Sequence, residues 1–489
     1  PTVWYQRAVH EPILRHLLGW IGRQAAQVRE VVLLGDVVDL WTYPGRVRPP
    51  RFRDIVASHP ATLGPDGALV ALLDEVPGGV TYVPGNHDQG VTPREVGAIR
   101  SRATGRKVRL VDDVPYLPLG QADPRIALAH GHHWTMFNAP HATNPWAPHP
   151  LGFFVTRTVA TMWDRRLEPG ATVADLAGQG APNGIDLGSL GTIVGGLGAR
   201  SVTASVIDFV RGATGVALDE PIVMPDGTVA TLEQARTAYE SLWTEWADGH
   251  GGGVIGSASA LRAALADADG TCIGWFAQRL AFEVGAELVV FGHTHVPVVG
   301  LEGGAVRYLN TGFDCPSVPD MERADAPQRA TFAVVDLVEA TAELWEVAHD
   351  PDGLACRPAV AGPARVVAGG QDFSTYVTVD HREGRVPLLL DAATAPYGAW
   401  VVPPPERIEP GTVARFWIQD QLGPSGTEGT ATYRGGGEEF ALRFTCPTLS
   451  ANAASGTPRL ATRVGDGPWR EGSVERRGHP LHVRFTTTR

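Results

Sequence analysis

The sequence predicts an α/β protein with a helical insertion and a C-terminal all-β sandwich. Three observations predict it. Four apolar, β-branched runs (Val31 to Leu34, Val80 to Val83, Ile126 to Ala129, Leu288 to Phe291) each end in a short polar tip. A long middle stretch, about Trp134 to Gln278, is poor in strand patterns and carries helix-like segments. Roughly Ser374 to Arg489 alternates apolar and polar positions in short runs separated by turn residues. Short continuous apolar runs read as strands buried on both faces, the pattern of parallel sheets, whereas alternation reads as half-buried sandwich strands.

Taken in order, Ile13 to Arg29 reads as a helix, with Ile13, Leu14, Leu17, Leu18, Ile21 and Val28 roughly on one face. It feeds the strand before Asp36, and Leu69 to Leu73 sits on a second helix ahead of the strand ending at Val83. After the third strand comes a Pro/His/Asn-rich loop, Asn138 to Pro150. Helix-like segments follow at Phe153 to Trp163, Leu232 to Trp246 and Ala258 to Ala266, with Gly-rich turns around Leu187 to Gly198. This insertion is expected to form a cap above the sheet edge. The strand at Leu288 returns to the core, followed by Arg307-Tyr308-Leu309, the turn Asn310-Thr311-Gly312, and strands at Ala330 to Leu337 and Thr341 to Val347. Pro351 to Gly370, rich in Pro, Gly and Ala, reads as a linker. Beyond it, strands such as Tyr376 to Val379, Ala414 to Ile418 and Phe440 to Phe444 alternate with turns such as Gly423-Pro424 and Gly435-Gly436-Gly437. The expected organisation is a core from 1–133 and 279–350, a cap from 134–278, a linker from 351–373 and a sandwich from 374–489.

At 489 residues two or three domains are expected. The net charge of −12 and the lack of any Lys/Arg block argue against nucleic acid as a partner. Cys272, Cys315, Cys356 and Cys446 are scattered, with no spacing for a zinc knuckle or a disulfide framework. No apolar stretch is long enough to span a bilayer and no signal peptide is visible, so the expected localisation is cytoplasmic.

The four polar tips are where the chemistry lies. They read Gly35-Asp36-Val37-Val38-Asp39, Gly85-Asn86-His87-Asp88, His130-Gly131-His132 and Gly292-His293-Thr294-His295. Each follows a strand, and in open α/β sheets ligands bind at the carboxyl ends of strands. Asp, Asn and His together offer the oxygen and imidazole donors that divalent first-row metals favour. Alone, each tip is a turn, since Gly, Asn and Asp are the residues turns select. In this order, each after a strand, they specify far more.

These segments resemble the calcineurin-like metallophosphoesterase superfamily, with its GDxxD, GNH[DE], His-Gly and GHxH elements, over about Pro1 to Asp350. The resemblance implies a two-layer β core flanked by helices, two divalent metals (Mn, Fe or Zn), and hydrolysis of a phosphomonoester, phosphodiester or pyrophosphate bond by metal-bound hydroxide. It places Asp36 as the bridging carboxylate, Asn86, His130 and His293 at one metal, and His295 at the other. His87, oriented by Asp39, would serve the reacting phosphoryl group, and Asp88 would brace the turn. His132, His141 and Arg157 are candidates to reach the substrate, a small phosphate ester with a lipid or nucleotide-linked group among the alternatives. The order GNHD, HG, GHTHxP and NTG looks closest to the branch that includes UDP-diacylglucosamine pyrophosphohydrolases. One element departs from the family: no Asp precedes Asp36, and His10 and His16 lie in or next to a helix, so the family's opening Asp-x-His is missing. Either the first strand lies upstream of Pro1, the reading favoured because Pro1 to Gln6 has no strand pattern, or the second metal site is degenerate.

Toward the C-terminus, Tyr397-Gly398-Ala399-Trp400, Gly426-Thr427-Glu428-Gly429 with Tyr433, and Phe444-Thr445-Cys446-Pro447 with Asn452 look like the aegerolysin type of β-sandwich. That resemblance implies membrane lipid as a partner, through aromatics such as Trp400, Trp417 and Trp469. The alternative function is therefore a non-enzymatic scaffold whose sandwich binds lipid.

Overall fold

The computed structural model describes residues 7–120, 124–141, 144–166, 202–243, 245–246, 271–302, 306–313, 330–365, 372–420, 425–465 and 467–487. It is a mixed α/β structure with a strand-rich C-terminal region. Val31–Leu34, Val80–Val83 and Arg109–Leu110 form a three-stranded parallel sheet, with Val31 opposite Val80. Ile126–Leu128, Leu288–Phe291 and Arg307–Asn310 form a second parallel set, closed on one edge by the antiparallel Val298–Val299. All four residues of Val80–Val83 and of Leu288–Phe291 are buried, which is why these runs are apolar without alternation.

Side chains alternate across each strand, so each sheet buries two faces. Tyr82 and Val80 of the first sheet pack with Leu18 of the Arg7–Arg23 helix and Leu69, Leu72 and Leu73 of the Ala68–Glu75 helix. Its opposite face, with Val32, Leu34 and Val83, shares a core with Ile126, Leu128, Leu288, Val290 and Leu309 of the second sheet. The far face of that sheet, with Ala127, Val289, Phe291 and Tyr308, lies on Ile273, Ala277, Leu280 and Ala281 of the Thr271–Val284 helix. The layers therefore run helix, sheet, sheet, helix.

The first helix differs from its expected span. It covers Arg7–Arg23, and Ala25–Gln27 forms a separate 3₁₀ turn. Val28, counted on the apolar face, packs on the same core from extended backbone instead. The stretch expected as a linker also differs: Gly353–Pro358 is a strand, antiparallel to Thr341–Asp350, and Ala364–Arg365 pairs with Leu301–Glu302. Pro351 and Asp352 sit at the tip of a tight hairpin, where the Asp352 N–H donates to Asp350 Oδ1 over 2.9 Å and Gly353 takes a φ of 129°. Pro, Asp and Gly serve tight turns as readily as linkers.

The insertion carries helices Leu151–Arg166, Val202–Thr214 and Leu232–Ala238 and a small hairpin, Ile222–Val223 with Val229–Ala230. Phe153, Phe154, Val206, Ile207, Tyr239 and Trp246 form its core together with Trp41. The helix expected at Ala258 to Ala266, the turns at Leu187 to Gly198 and the turn Gly423-Pro424 lie outside the described residues. No helix among the described residues is long and apolar enough to cross a membrane.

The C-terminal strands form a six-stranded and a five-stranded sheet. Val377, Phe416, Ile418, Val483 and Phe485 of the first meet Leu388, Ala431, Tyr433, Leu442 and Phe444 of the second in one core. Gly436 and Gly437, at φ of 61° and 85°, make the two-residue turn between Thr427–Gly435 and Glu438–Cys446. The aromatics expected at a membrane face inward or sideways. Trp417 is 1% exposed, Trp400 packs beside Phe416 and Phe444, and Trp469 stacks with the guanidinium groups of Arg463 and Arg484. Trp417 contributes instead to the contact with the Thr271–Val284 helix, where Arg279 lies between the rings of Trp275 and Trp417, at 3.1 and 4.4 Å from their centroids. Arg279 also donates to Tyr376 Oη and Gln419 Oε1, both over 3.0 Å.

Candidate metal centre

Four polar tips meet where the strands of the two sheets end. Gly35 leaves Val31–Leu34 at φ 82° and Asp36 follows at φ 53°. His293 and His295, just beyond Leu288–Phe291, take φ of 72° and 59°. Left-handed backbone at a residue with a Cβ costs on the order of 1–3 kcal/mol and persists where surrounding structure imposes it. Of the five such residues among those described, three belong to these tips.

The glycines permit the approach of neighbouring tips. A Cβ on Gly35 would overlap the His130 ring, and one on Gly85 would overlap the Asp36 carboxylate. Asp88 ties the first two tips together: Oδ2 accepts from the Val37 N–H (2.8 Å) and the Tyr82 hydroxyl, and Oδ1 from the Gly85 N–H (2.6 Å). Burial first, then the neighbouring Asp36 charge, pushes the Asp88 pKa up to about 6.

The contacts at the centre are short. His130 Nε2 lies 3.1 Å from Asp36 Oδ2 and 3.2 Å from Asn86 Oδ1, and His293 Nδ1 lies 3.0 Å from Asn86 Oδ1. Ligand atoms of Asp36, His130 and His293 all fall within 4.8 Å of one another. Two ligands bonded to one ion at about 2.1 Å and at right angles would lie about 3.0 Å apart. The outer nitrogens are occupied elsewhere: His130 Nδ1 donates to the Leu34 carbonyl (2.8 Å), and His293 Nε2 meets Thr135 Oγ1 (3.0 Å). Because the Thr135 hydroxyl donates to the His132 carbonyl, it can accept from His293. A ring whose outer N–H is fixed in this way turns its other lone pair inward, as metal-ligating imidazoles do. The donor set thus fits a divalent cation: a carboxylate, an amide oxygen and two imidazoles converge on one point.

Imidazoles answer the Asp36 charge at this point. Burial alone would raise the Asp36 pKa, yet His130 and His87 hold it well below the usual carboxylate range. Burial depresses the His130 pKa, but Asp36 overrides this and leaves it raised. Burial and then the His130 charge drive the His293 pKa well down, so this ring is neutral.

Beside the centre, His87 Nδ1 donates to Asp39 Oδ1 over 2.9 Å, and Asp39 Oδ1 also accepts from the N–H groups of Trp41 (2.8 Å) and Thr42 (3.0 Å). The His87 N–H donates to Asp36 Oδ1 over 2.8 Å. Burial lowers the His87 pKa, but Asp36 and Asp39 outweigh it and raise the value to about 9. The imidazole is then cationic at neutral pH, with Nε2 as the nitrogen left for another group.

The remaining expected residues fall differently. His295 is half-buried and close enough for its charge to act on His293, but it does not belong to the three-residue cluster. His132 is 1% exposed, with its ring beside those of His133, His130 and His293, at centroid distances of 4.0, 5.4 and 6.4 Å. His141 packs in the insertion, 3.1 Å from Glu245 Oε2 and against the Tyr239 ring. Arg157, expected to reach a substrate, is 0% exposed. Its Nη2 donates to the Gly45, Val47 and Val223 carbonyls, which makes it a tie between the insertion and the loop after Asp39. Trp41, Thr135 and Leu34 were not anticipated. Trp41 lies two residues beyond the first tip, whereas nothing local in the sequence points to the other two.

No protein-family model matches the chain, and no curated protein matches it. Over 24% of its length the chain is similar to the structure of a lipid binding protein, Nakanori, with 14% identity, 71% of that chain covered and a TM-score of 0.19. Over 23% it is similar to the RahU protein, solved in complex with TRIS, with 16% identity, 92% of that chain covered and a TM-score of 0.19. At those scores neither likeness carries an argument about this chain.

Proposed function

We propose that the chain is a metal-dependent phosphoesterase of metallophosphoesterase type. Asp36, Asn86, His130 and His293 would hold a divalent cation (Mn, Fe or Zn), and His295 would serve a second one. The observation that carries this reading is the convergence of those four ligand atoms, with His87 and Asp39 beside them. Divalent cations bound there would supply positive charge for a phosphoryl group and acidify water. The chain's own residues do the rest. The Asp39 carboxylate holds the Nδ1 proton of His87, which anchors that edge of the ring and leaves Nε2 for the oxygen on which charge develops. The insertion, read as a cap, would limit access of water to that oxygen.

The test is metal analysis together with turnover of bis(p-nitrophenyl) phosphate and p-nitrophenyl phosphate. His87→Ala is expected to keep the metal and lose about 10²–10⁴-fold in kcat. Asp36→Ala and Asn86→Ala are expected to lose metal and turnover together. Full turnover in metal-free protein, or in Asp36→Ala, would sink the reading. A second reading, in which the sandwich binds membrane lipid, rests on the C-terminal motifs that look like the aegerolysin type of sandwich, Tyr397-Gly398-Ala399-Trp400 among them. Sedimentation of the full chain with phospholipid vesicles tests it: co-sedimentation supports lipid binding, and a chain left in the supernatant opposes it.

A further inference from the structure

The Trp41 ring lies on His87. Their centroids are 4.6 Å apart and the planes 27° from parallel, a stacked arrangement. Trp41 is 1% exposed, so it offers no surface to a substrate. Its backbone N–H donates to the same Asp39 oxygen that accepts from His87, and its ring meets Phe153 of the insertion edge-on at 5.9 Å. Phe153 is itself stacked on His149 at 4.6 Å. The hydrogen bond to Asp39 fixes one point of the imidazole and leaves rotation about that contact open. A flat indole against the ring face removes that rotation.

We propose that Trp41 is a positioning residue that sets the plane of His87 and thereby aims Nε2. This rests on the phosphoesterase reading, because it concerns the reacting group of that site. It also ties the insertion to the chemistry, since Phe153 backs Trp41.

The experiment uses the full, metal-loaded chain with bis(p-nitrophenyl) phosphate. Trp41→Leu is expected to lower kcat roughly 10- to 100-fold with KM within about 2-fold, and Trp41→Phe, which keeps a flat ring, to recover most of the loss. In a His87→Ala background, Trp41→Leu should change kcat by less than about 2-fold, because the group it positions is gone. A structural role would lower kcat in both backgrounds alike, and that result would overturn the proposal. Histidine NMR supplies a second readout without turnover: the His87 ring protons should lie upfield from the indole ring current and move downfield in Trp41→Leu. Unshifted protons in the wild type would overturn it. Lack of turnover in the wild type with every divalent metal would sink the hydrolase reading and this role together, whereas turnover with unchanged kcat in Trp41→Leu would sink this role alone.

Discussion

Asp36 carries two opposite demands, a left-handed backbone and a partly buried negative charge, and both are met by its neighbours. His87 is the imidazole that answers that charge, and its own titration changes as a result. Its raised pKa means that folding favours the protonated ring, so its contribution to stability is fully present below about pH 6.5 and lost as pH rises through about 9. In metal-free protein this is on the order of 3 kcal/mol. The expected outcome is a thermal midpoint in EDTA that falls between pH 7 and 9, and a flatter profile for His87→Gln. A divalent cation on Asp36 would compete for the same carboxylate, leaving Asp39 and, more weakly, Asp88 as the remaining upward pulls. His87 should then titrate at lower pH in loaded protein, which histidine NMR can follow. At Gly35 the prediction is steric. Gly35→Ala puts a methyl group into the His130 ring at a φ of 82°, so metal affinity should fall at least about 10-fold, measured by competition with a chelator. That these tips would meet was legible because each follows a strand. The strain that aims them was not, since the sequence does not say which Asp or His is left-handed.

The Thr271–Val284 helix joins two parts of the fold. Ile273, Ala277, Leu280 and Ala281 pack on the sheet that ends just before His293, while Arg279, Phe282 and Glu283 face the sandwich and Trp275, part of the insertion's core, lies under Arg279. Arg279 is 4% exposed and is held by two indole rings, Tyr376, Gln419 and, at 3.7 Å, Asp372. Removing one partner from a buried ionic network leaves charge without compensation, at about 3–5 kcal/mol. Arg279→Ala should therefore lower stability by about 3 kcal/mol in urea unfolding, with Arg279→Lys losing most of the stacking as well. A loss below about 1 kcal/mol would show that the contact is not structural. This contact explains what the sequence could and could not reveal. Val80–Val83 and Leu288–Phe291 were legible because strands buried on both faces must be apolar throughout. Gly353–Pro358 was not, because its pairing partner fixes it and its own composition suits a turn or linker. Trp417 looked like a free aromatic because nothing near it in sequence announces a helix more than a hundred residues away.

At the scale of the whole molecule, the Thr271–Val284 helix packs on one side against the sheet that carries the His130 and His293 tips and on the other against the sandwich. Phe291, which precedes Gly292 and His293, packs on that helix through the same core as Ala277 and Leu280. A cation that binds only the folded centre stabilises it by about 2.7 kcal/mol at a hundredfold excess over its Kd. If the helix couples the two parts, the sandwich inherits that gain. The expected outcome is one cooperative unfolding transition in the wild type whose midpoint rises with divalent metal, whether read by circular dichroism or by tryptophan fluorescence. Arg279→Ala loosens the sandwich's hold on the helix, so the sandwich's own transition, followed by hydrogen exchange of its strands, should separate from the metal-sensitive one and stop responding to metal. Asn86→Ala supplies the converse: both transitions stay together and neither responds. Two metal-independent transitions already present in the wild type would mean that the sandwich is an independent unit resting on the helix. In that case the buried Arg279 would serve only to fill the contact.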